Sequence, residues 1–164
     1  MKDTQTINDK EEIARILHRE WIVDNTLQIN AFALRCGETY LSVNCKSIKT
    51  FLDDIRDFVG SHPCYAVFDN ASACRIASMN TGEVRDIRVV LGEKTMDVSV
   101  EVEPRNKNCL SHAGIFTRYE GKNVKGGQLV DFETDNGIHV PSSAILQKVQ
   151  HHLLRLAKLE TLAL

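Results

Sequence analysis

Apolar residues recur along this chain with two periods, one typical of helices and one typical of strands. Residues 8–23, 47–59 and 142–163 carry apolar side chains three and four residues apart, the spacing of one helix face. Residues 96–102 alternate between apolar and polar side chains, as in a strand with one buried face. The pattern therefore predicts three main helices together with an antiparallel sheet.

Helix-start and helix-stop residues place the ends of the second and third helices. Ser47 precedes the second apolar stripe, while Gly60 followed by Pro63 predicts its end. The third helix is predicted to open at residues 141–143, because proline suits a first helical turn and serine is a good cap. The apolar face of this C-terminal helix is predicted to continue almost to Leu164.

The remaining apolar runs predict short strands. The small residues of the segment 70–79 favour one short helix there. Strands are predicted at residues 27–33, 40–43, 64–68, 84–91, 96–102, 112–119 and 129–132. The first two are expected to form a hairpin around Gly37, and residues 83–103 another around Gly92. The segment 120–127, with its three glycines, is predicted to be a flexible connection.

The order of these elements is typical of an α+β protein. It lacks the strict strand–helix alternation of a doubly wound fold, so we expect an antiparallel or mixed sheet with two to four helices packed on it, including the amphipathic C-terminal helix. The chain has the size of one domain, and residues 1–164 are predicted to form a single α+β domain.

Charge and cysteine usage narrow the classes of partner. The net charge of −2, without a basic stripe, disfavours nucleic acid as a partner. No run approaches 18 consecutive apolar residues, so no membrane-spanning helix is expected. Residues 1–12 are polar and acidic, unlike a signal peptide, and the five cysteines are widely spaced without a CxxC pair. We therefore expect free thiols and a cytoplasmic location.

No strong catalytic motif occurs, and neither a cofactor nor a metal ion is predicted. Cys109, Ser111 and His112 form the densest cluster of reactive side chains, in which a histidine could activate a nucleophile. The alternative interpretation is a histidine that hydrogen-bonds a neighbouring loop. Glu101 and Glu103 share one strand face, where they would either hold a divalent cation or simply face water.

One spaced pattern resembles a set of small bacterial proteins. It consists of His18-Arg19, Ala31-Phe32, Leu41-Ser42-Val43, Asn108 and His112-Ala113-x-Ile115, matching an "HR…aF…LSV…N…HA-x-I" arrangement. The resemblance implies a bacterial origin and a shared fold, and it implies no particular reaction.

The same pattern defines a candidate pocket. If the end of the first helix meets the strands at Ser42 and His112, then His18, Arg19, Ser42 and His112 would line one site. An arginine beside a histidine suits recognition of a phosphate or carboxylate group. Alternatively, His18 and Arg19 would only interact favourably with the dipole at a helix C-terminus.

Two classes of function follow from these observations. The first is a non-catalytic bacterial binding or interaction module, or accessory protein, that acts on an unknown protein partner or self-associates as a homodimer through the C-terminal helix. The alternative is a small hydrolase or transferase that uses the His/Arg/Ser pocket. Whether the protein is an enzyme is left open. The adjacent His151 and His152 are assigned to packing or an interface, because consecutive helical residues do not face each other.

Overall fold

An antiparallel sheet runs through the molecule, and helices pack on both of its faces. The computed structural model describes residues 6–67, 70–105, 109–127, 131–133, 137 and 139–164. In chain order, the strands of this described part are β1 (Glu12–Ile16), β2 (Ile22–Val23), β3 (Thr26–Leu27), β4 (Tyr40–Cys45), β5 (Ala66–Val67), β6 (Asn70–Asn80), β7 (Val90–Leu91), β8 (Lys94–Thr95), β9 (Val98–Pro104), β10 (His112–Tyr119), β11 (Lys122–Asn123), β12 (Asp131–Glu133), β13 (His139–Pro141) and β14 (Lys158–Ala163).

The helices confirm the predicted α+β class, including the helix near the C-terminus. The α-helices of the described residues are α1 (Phe51–Ser61), α2 (Thr81–Arg85) and α3 (Ser142–Leu156), and the 3-10 turns are Arg19–Trp21, Ile29–Phe32 and Pro63–Tyr65.

The main sheet connects strands that are far apart in sequence. Its central path runs β10, β4, β1, β6 and β14, with β9 added along β10, and all neighbours are antiparallel. The predicted hairpin of residues 27–33 with 40–43 is therefore wrong, because β4 pairs with β1 and β10 while Ile29–Phe32 forms a 3-10 turn. Around Gly92 a hairpin does form, but only between β7 and β8, and β9 pairs with β10 instead.

Side chains alternate across the sheet and divide the core into two layers. Ile13 belongs to the cluster that includes Leu153 of α3. The next residue, Ala14, belongs to the opposite cluster, which includes Ile55 of α1. The strand β1 is consequently covered on both faces.

The predicted first helix over residues 8–23 is wrong. This segment contains β1 and the 3-10 turn Arg19–Trp21. Ile13, Ile16 and Leu17 fit helical spacing, but apolar residues on both faces of a doubly covered strand produce an indistinguishable run. The segment forms a strand because its apolar side chains are buried on both faces rather than along one helix face.

The predicted short helix at residues 70–79 is also wrong, because this segment forms β6, the longest described strand. β6 pairs with β1 on one side and β14 on the other, so both sides of its backbone are hydrogen-bonded. Cys74 and Ala77 are fully buried in opposite layers of the core. Small residues suit this double coverage as well as they suit a tightly packed helix.

The C-terminal helix α3 begins at Ser142, directly after Pro141, but it ends at Leu156. Its predicted continuation is replaced by β14, which pairs with β6. Leu159 and Leu162 pack against the two opposite core clusters. The apolar tail that motivated self-association is thus the last strand of this chain's own sheet, and self-association stays a prediction.

The helix α1 confirms the second predicted helix with shifted ends. It starts after Thr50, whereas Ser47 instead donates a hydrogen bond to Glu11, and it continues through Gly60. Strand β10 lies where it was predicted, and β9 overlaps the predicted strand 96–102. The predicted strand 64–68 is a 3-10 turn followed by β5, and Phe68 lies outside the described residues. Of the predicted strand 129–132, residues 129 and 130 also lie outside the described residues.

Candidate functional site

The main sheet splits between β1 and β4. These two strands pair at Ile13 with Cys45 and at Ala14 with Asn44. Beyond Ala14, β1 stays paired with β6 as far as Ile16, while β4 stays paired with β10. The two strands therefore separate, and a gap opens where the next backbone hydrogen bonds of the ladder would lie.

The side chain of Arg15 fills this gap. Its Nε donates a hydrogen bond to the carbonyl of Ala31, and its Nη1 donates one of 2.9 Å to the carbonyl of Ser42. The guanidinium carbon lies 5.0 Å from the centre of the Trp21 ring, a cation–π distance. Burial lowers the pKa of Arg15 to about 10, so the group is still charged at neutral pH.

Arg15 has donors to spare and forms no ion pair with another described residue. Of its five N–H groups, two are used by the carbonyls of Ala31 and Ser42. None of the ion pairs between described residues involves Arg15. The charge of Glu38, which lines the same cavity, raises the pKa of Arg15 but does not outweigh the effect of burial. The remaining cost of burying this cation would be offset by an anionic ligand.

The guanidinium borders a cavity of about 610 Å³, named here the Arg15 cavity. This volume is typical of small-molecule sites. The lining residues come from β1, β4, α1, the 3-10 turns, the loop before β4, the loop before β10 and the start of β10. They are Arg15, Ile16, Trp21, Asn30, Ala33, Arg35, Glu38, Ser42, Asn44, Asp54, Phe58, Tyr65, Cys109 and His112.

One wall of the Arg15 cavity is aromatic. The ring of Tyr65 lies edge-on to Trp21 at 6.0 Å and to Phe58 at 5.0 Å, measured between ring centres. Aromatic rings in this arrangement hold each other in place and offer apolar faces. The wall is suited to the flat, apolar body of an organic ligand.

Another part of the cavity lining is polar and contains the carboxylate of Asp54 in α1. Its Oδ2 accepts hydrogen bonds from Thr50 Oγ1 (2.8 Å), Ser111 Oγ (2.6 Å) and the Ser111 backbone N–H (3.0 Å). Desolvation opposes the charge of Asp54, but the hydrogen bonds from Ser111, Cys109 and Thr50 outweigh it and lower the pKa of this carboxyl. Asn44 Nδ2 donates to Ser111 Oγ at 2.8 Å, so the Ser111 hydroxyl is engaged as both donor and acceptor.

These contacts argue against a nucleophile at Cys109 or Ser111. Burial raises the pKa of the Cys109 thiol, and the neighbouring Asp54 raises it further. Reactive cysteines sit beside cations that stabilise the thiolate, whereas this thiol lies beside an anion. The Ser111 hydroxyl donates its hydrogen bond to Asp54 rather than to a histidine.

His112 is held in one tautomer. Its Nδ1 lies 3.0 Å from the carbonyl of Arg105, which only accepts, so Nδ1 carries the proton and Nε2 carries the lone pair. Burial lowers the pKa of His112, and the nearby Arg105 charge acts in the same direction, against the favourable backbone hydrogen bond. The imidazole is therefore neutral at pH 7 and is able to accept a proton at Nε2.

The four residues predicted to share a pocket are partly brought together. Ser42 and His112 both line the Arg15 cavity. His18 lies behind its wall, with its ring centre 5.2 Å from that of Tyr65 and 5.8 Å from that of Trp21. Arg19 is exposed and does not line the cavity. A catalytic role for the four stays a prediction.

Sequence reasoning missed Arg15, the residue that dominates the cavity. The signal was a charged residue inside the apolar run from Ile13 to Leu17. On a predicted helix, Arg15 falls on the water-facing side, where an arginine is ordinary and does not indicate a site. On a strand covered on both faces, the same position must bury its charge.

The acidic pair in β9 forms ion pairs within the protein. Glu103 accepts hydrogen bonds from both terminal nitrogens of Arg118, and Glu101 Oε2 lies 3.4 Å from Arg85 Nε. A cation site at these carboxylates is therefore disfavoured. In the part of the chain that the structure describes, no group of three or more potential ligands could hold a metal ion.

Comparisons with known proteins leave the site to be interpreted from its own chemistry. No protein-family model, no curated protein and no solved structure matches the chain. Across the described ranges, no helix combines the length and apolar character needed to cross a membrane.

Proposed function

We propose that this protein is a binding module for a small organic anion that has a flat, apolar body. The observation that carries the proposal is Arg15, a desolvated cation with spare donors and no ion-pair partner among the described residues, at the edge of a ligand-sized cavity. The planar fork of arginine matches the two oxygens of a carboxylate. The rings of Trp21, Phe58 and Tyr65 would cover the apolar body.

Binding without chemistry is favoured by the surrounding groups. The Cys109 thiol has a raised pKa, and the Ser111 hydroxyl is committed to Asp54. Neither is set up to attack a substrate. An accessory role in the bacterial cytoplasm accords with the five free cysteines, and it remains part of the proposal together with self-association.

The experiment uses Trp21, which is the only tryptophan in the chain and stacks on Arg15. Benzoate is titrated into the protein while tryptophan fluorescence is followed, with benzamide as the neutral analogue of the same shape. We expect benzoate to change the fluorescence saturably and benzamide to do so at least about tenfold more weakly, the effect of one charge-assisted contact. Equal responses to the two compounds would remove the anion-binding proposal.

A small hydrolase or transferase is the second candidate, and the tautomer of His112 favours it. With Nδ1 donating to the carbonyl of Arg105, Nε2 is available as a general base in the cavity that Ser42 also lines. Hydrolysis of p-nitrophenyl acetate would then depend on His112 and rise with pH through a midpoint below the usual histidine value, because burial lowers the pKa of His112. A His112→Asn variant with the rate of the unmodified protein would contradict this candidate.

A further inference from the structure

A second cavity, of about 570 Å³, lies between the C-terminal half of α3 and the segment that follows α2. It is named here the basic cavity. Its lining residues are Arg88, Val90, Lys148, His151, His152, Leu154 and Arg155. It shares no lining residue with the Arg15 cavity.

The basic cavity concentrates positive charge in a chain that is acidic as a whole. The sequence contains 22 Asp and Glu residues against 20 Lys and Arg, yet among the described residues no carboxylate lines this cavity. No ion pair between described residues involves Arg88, Lys148 or Arg155. Like charges gathered without counter-charges destabilise the folded state, and an anionic occupant removes that cost.

Hydrogen bonds hold part of this cluster in position. Arg155 Nη2 lies 3.3 Å from His152 Nδ1, and Arg88 Nη1 donates to the carbonyls of Arg85 and Ile87 at 3.1 Å each. Burial lowers the pKa of His152, and the charges of Arg155 and Lys148 lower it further. The charges of Arg155 and Lys148 therefore both act on His152, and these two residues line one cavity together with Arg88.

We infer that the basic cavity binds the phosphate groups of a small molecule. Arg88, Lys148 and Arg155 supply several N–H donors around one concave surface, as adjacent phosphate groups require. The sequence has no basic stripe and the chain has a net charge of −2, so a long polyanion would find no continuing basic track. The inference is independent of the proposed function, because the two cavities have separate linings.

The test measures binding of inorganic pyrophosphate and of a nucleoside diphosphate by calorimetry, with amide chemical shifts to locate the site. We compare Lys148→Gln and Arg155→Gln with Lys158→Gln, an exposed lysine of β14 that lies outside the cavity. Each cavity variant is expected to weaken pyrophosphate binding about tenfold, while the control leaves it unchanged. Raising the salt concentration is expected to weaken binding as well.

The two ligands separate the two sources of phosphate. Tighter binding of the nucleoside diphosphate than of pyrophosphate identifies a phosphate group on an organic body, and similar binding identifies free diphosphate; both outcomes support the inference. No binding of either ligand would overturn it, and so would equal affinity in Lys148→Gln, Arg155→Gln and Lys158→Gln. Binding of heparin alone would overturn it in favour of a polymer. A preserved amide spectrum in each variant shows that folding is intact.

Discussion

A single guanidinium determines the character of the Arg15 cavity. Where β1 and β4 separate, Arg15 donates a hydrogen bond to the carbonyl of Ser42 in β4 and another to the carbonyl of Ala31 in the 3-10 turn Ile29–Phe32. The residue thereby has two roles, because it closes the split in the sheet and it supplies charge to the cavity. Its two roles are separable by substitution.

We expect Arg15→Lys to keep the positive charge but lose the forked contact, and Arg15→Gln to lose both. Benzoate affinity should fall about tenfold in Arg15→Lys and further in Arg15→Gln, as the bidentate geometry and then the charge are removed. Both variants should lose about 1–3 kcal/mol of unfolding free energy, because two carbonyls lose their donor. Urea titrations and fluorescence binding measure the two effects.

The control for these variants is Arg19→Gln, an exposed arginine that does not line the cavity. Unchanged benzoate affinity is expected for it. If Arg19→Gln weakened benzoate binding as much as Arg15→Gln, the assignment of the charge to Arg15 would be wrong and the sequence-based choice of Arg19 would regain support.

Asp54 makes the stability of the protein dependent on pH. Its pKa is lowered in the folded state by hydrogen bonds from Ser111, Cys109 and Thr50, which outweigh desolvation. A depressed carboxyl pKa contributes stability that is present above the unfolded value and is lost as pH falls through the folded value. That contribution is therefore complete above about pH 4, near the ordinary aspartate value, and disappears below it.

The corresponding variant is Asp54→Asn, with Asp53→Asn as the control on the same helix. Asp53 is exposed and pairs only with Arg56 among the described residues. We expect Asp54→Asn to lower the unfolding free energy by about 1–2 kcal/mol at pH 7, and the difference from the unmodified protein to shrink as pH falls below 4. Urea titrations between pH 3 and pH 7 measure this. A pH-independent difference would show that the charge of Asp54 contributes nothing.

At the scale of elements, α1 and α3, each with one buried face, were predicted better than β1 and β6, which are covered on both faces. β10, α1 and the start of α3 lie near their predicted positions. β1 and β6 were predicted as helices, because burial of both faces erases the two-residue period. Ser42 and His112 were nevertheless placed in one candidate site, whereas Arg15 and Asp54 were missed because their neighbours are set by long-range pairing.

The loop before β4 and the loop after β11 pack through a glycine. Gly37 N–H donates to the Gly126 carbonyl at 2.8 Å, and Gly126 N–H donates to the Glu38 carbonyl at 3.0 Å. A Cβ at Gly126 would meet the carbonyl oxygens of Arg35 and Leu34, the latter at 2.7 Å. The glycine-rich segment predicted as a flexible connection thus holds Arg35 and Glu38 at the mouth of the cavity.

We expect Gly126→Ala to destabilise the protein by about 1–3 kcal/mol, since the added methyl group collides with backbone rather than with a movable side chain. Benzoate affinity should fall at the same time, because the segment carrying Arg35 is displaced. Gly60→Ala is the control. Gly60 lies in α1 with open space around its Cβ position, so alanine there should raise stability by about 0.5–1 kcal/mol. Equal effects of the two substitutions would contradict this packing.

For the whole molecule, ligand binding and folding are linked. A ligand that binds the folded state at 100 times its Kd adds about 2.7 kcal/mol to the unfolding free energy. In a chain of this length, each kcal/mol raises Tm by about 2–4 °C. Saturating benzoate should therefore raise Tm by about 5–10 °C, and benzamide at the same concentration, binding about tenfold more weakly, should raise it by about half as much. The rise with benzoate should fall to less than half in Arg15→Gln and persist in Arg19→Gln.

The increase of unfolding free energy on ligand binding also distinguishes the two proposed sites. The Arg15 cavity opens at the split between β1 and β4, whereas the basic cavity lies along α3, and their linings have no residue in common. Binding energies at sites without shared partners add. Benzoate and pyrophosphate together should therefore add their separate increments of unfolding free energy, and Lys148→Gln should remove only the pyrophosphate increment. If benzoate abolished the pyrophosphate increment, both anions would be competing for one site, and the assignment of two anion sites to this fold would fail.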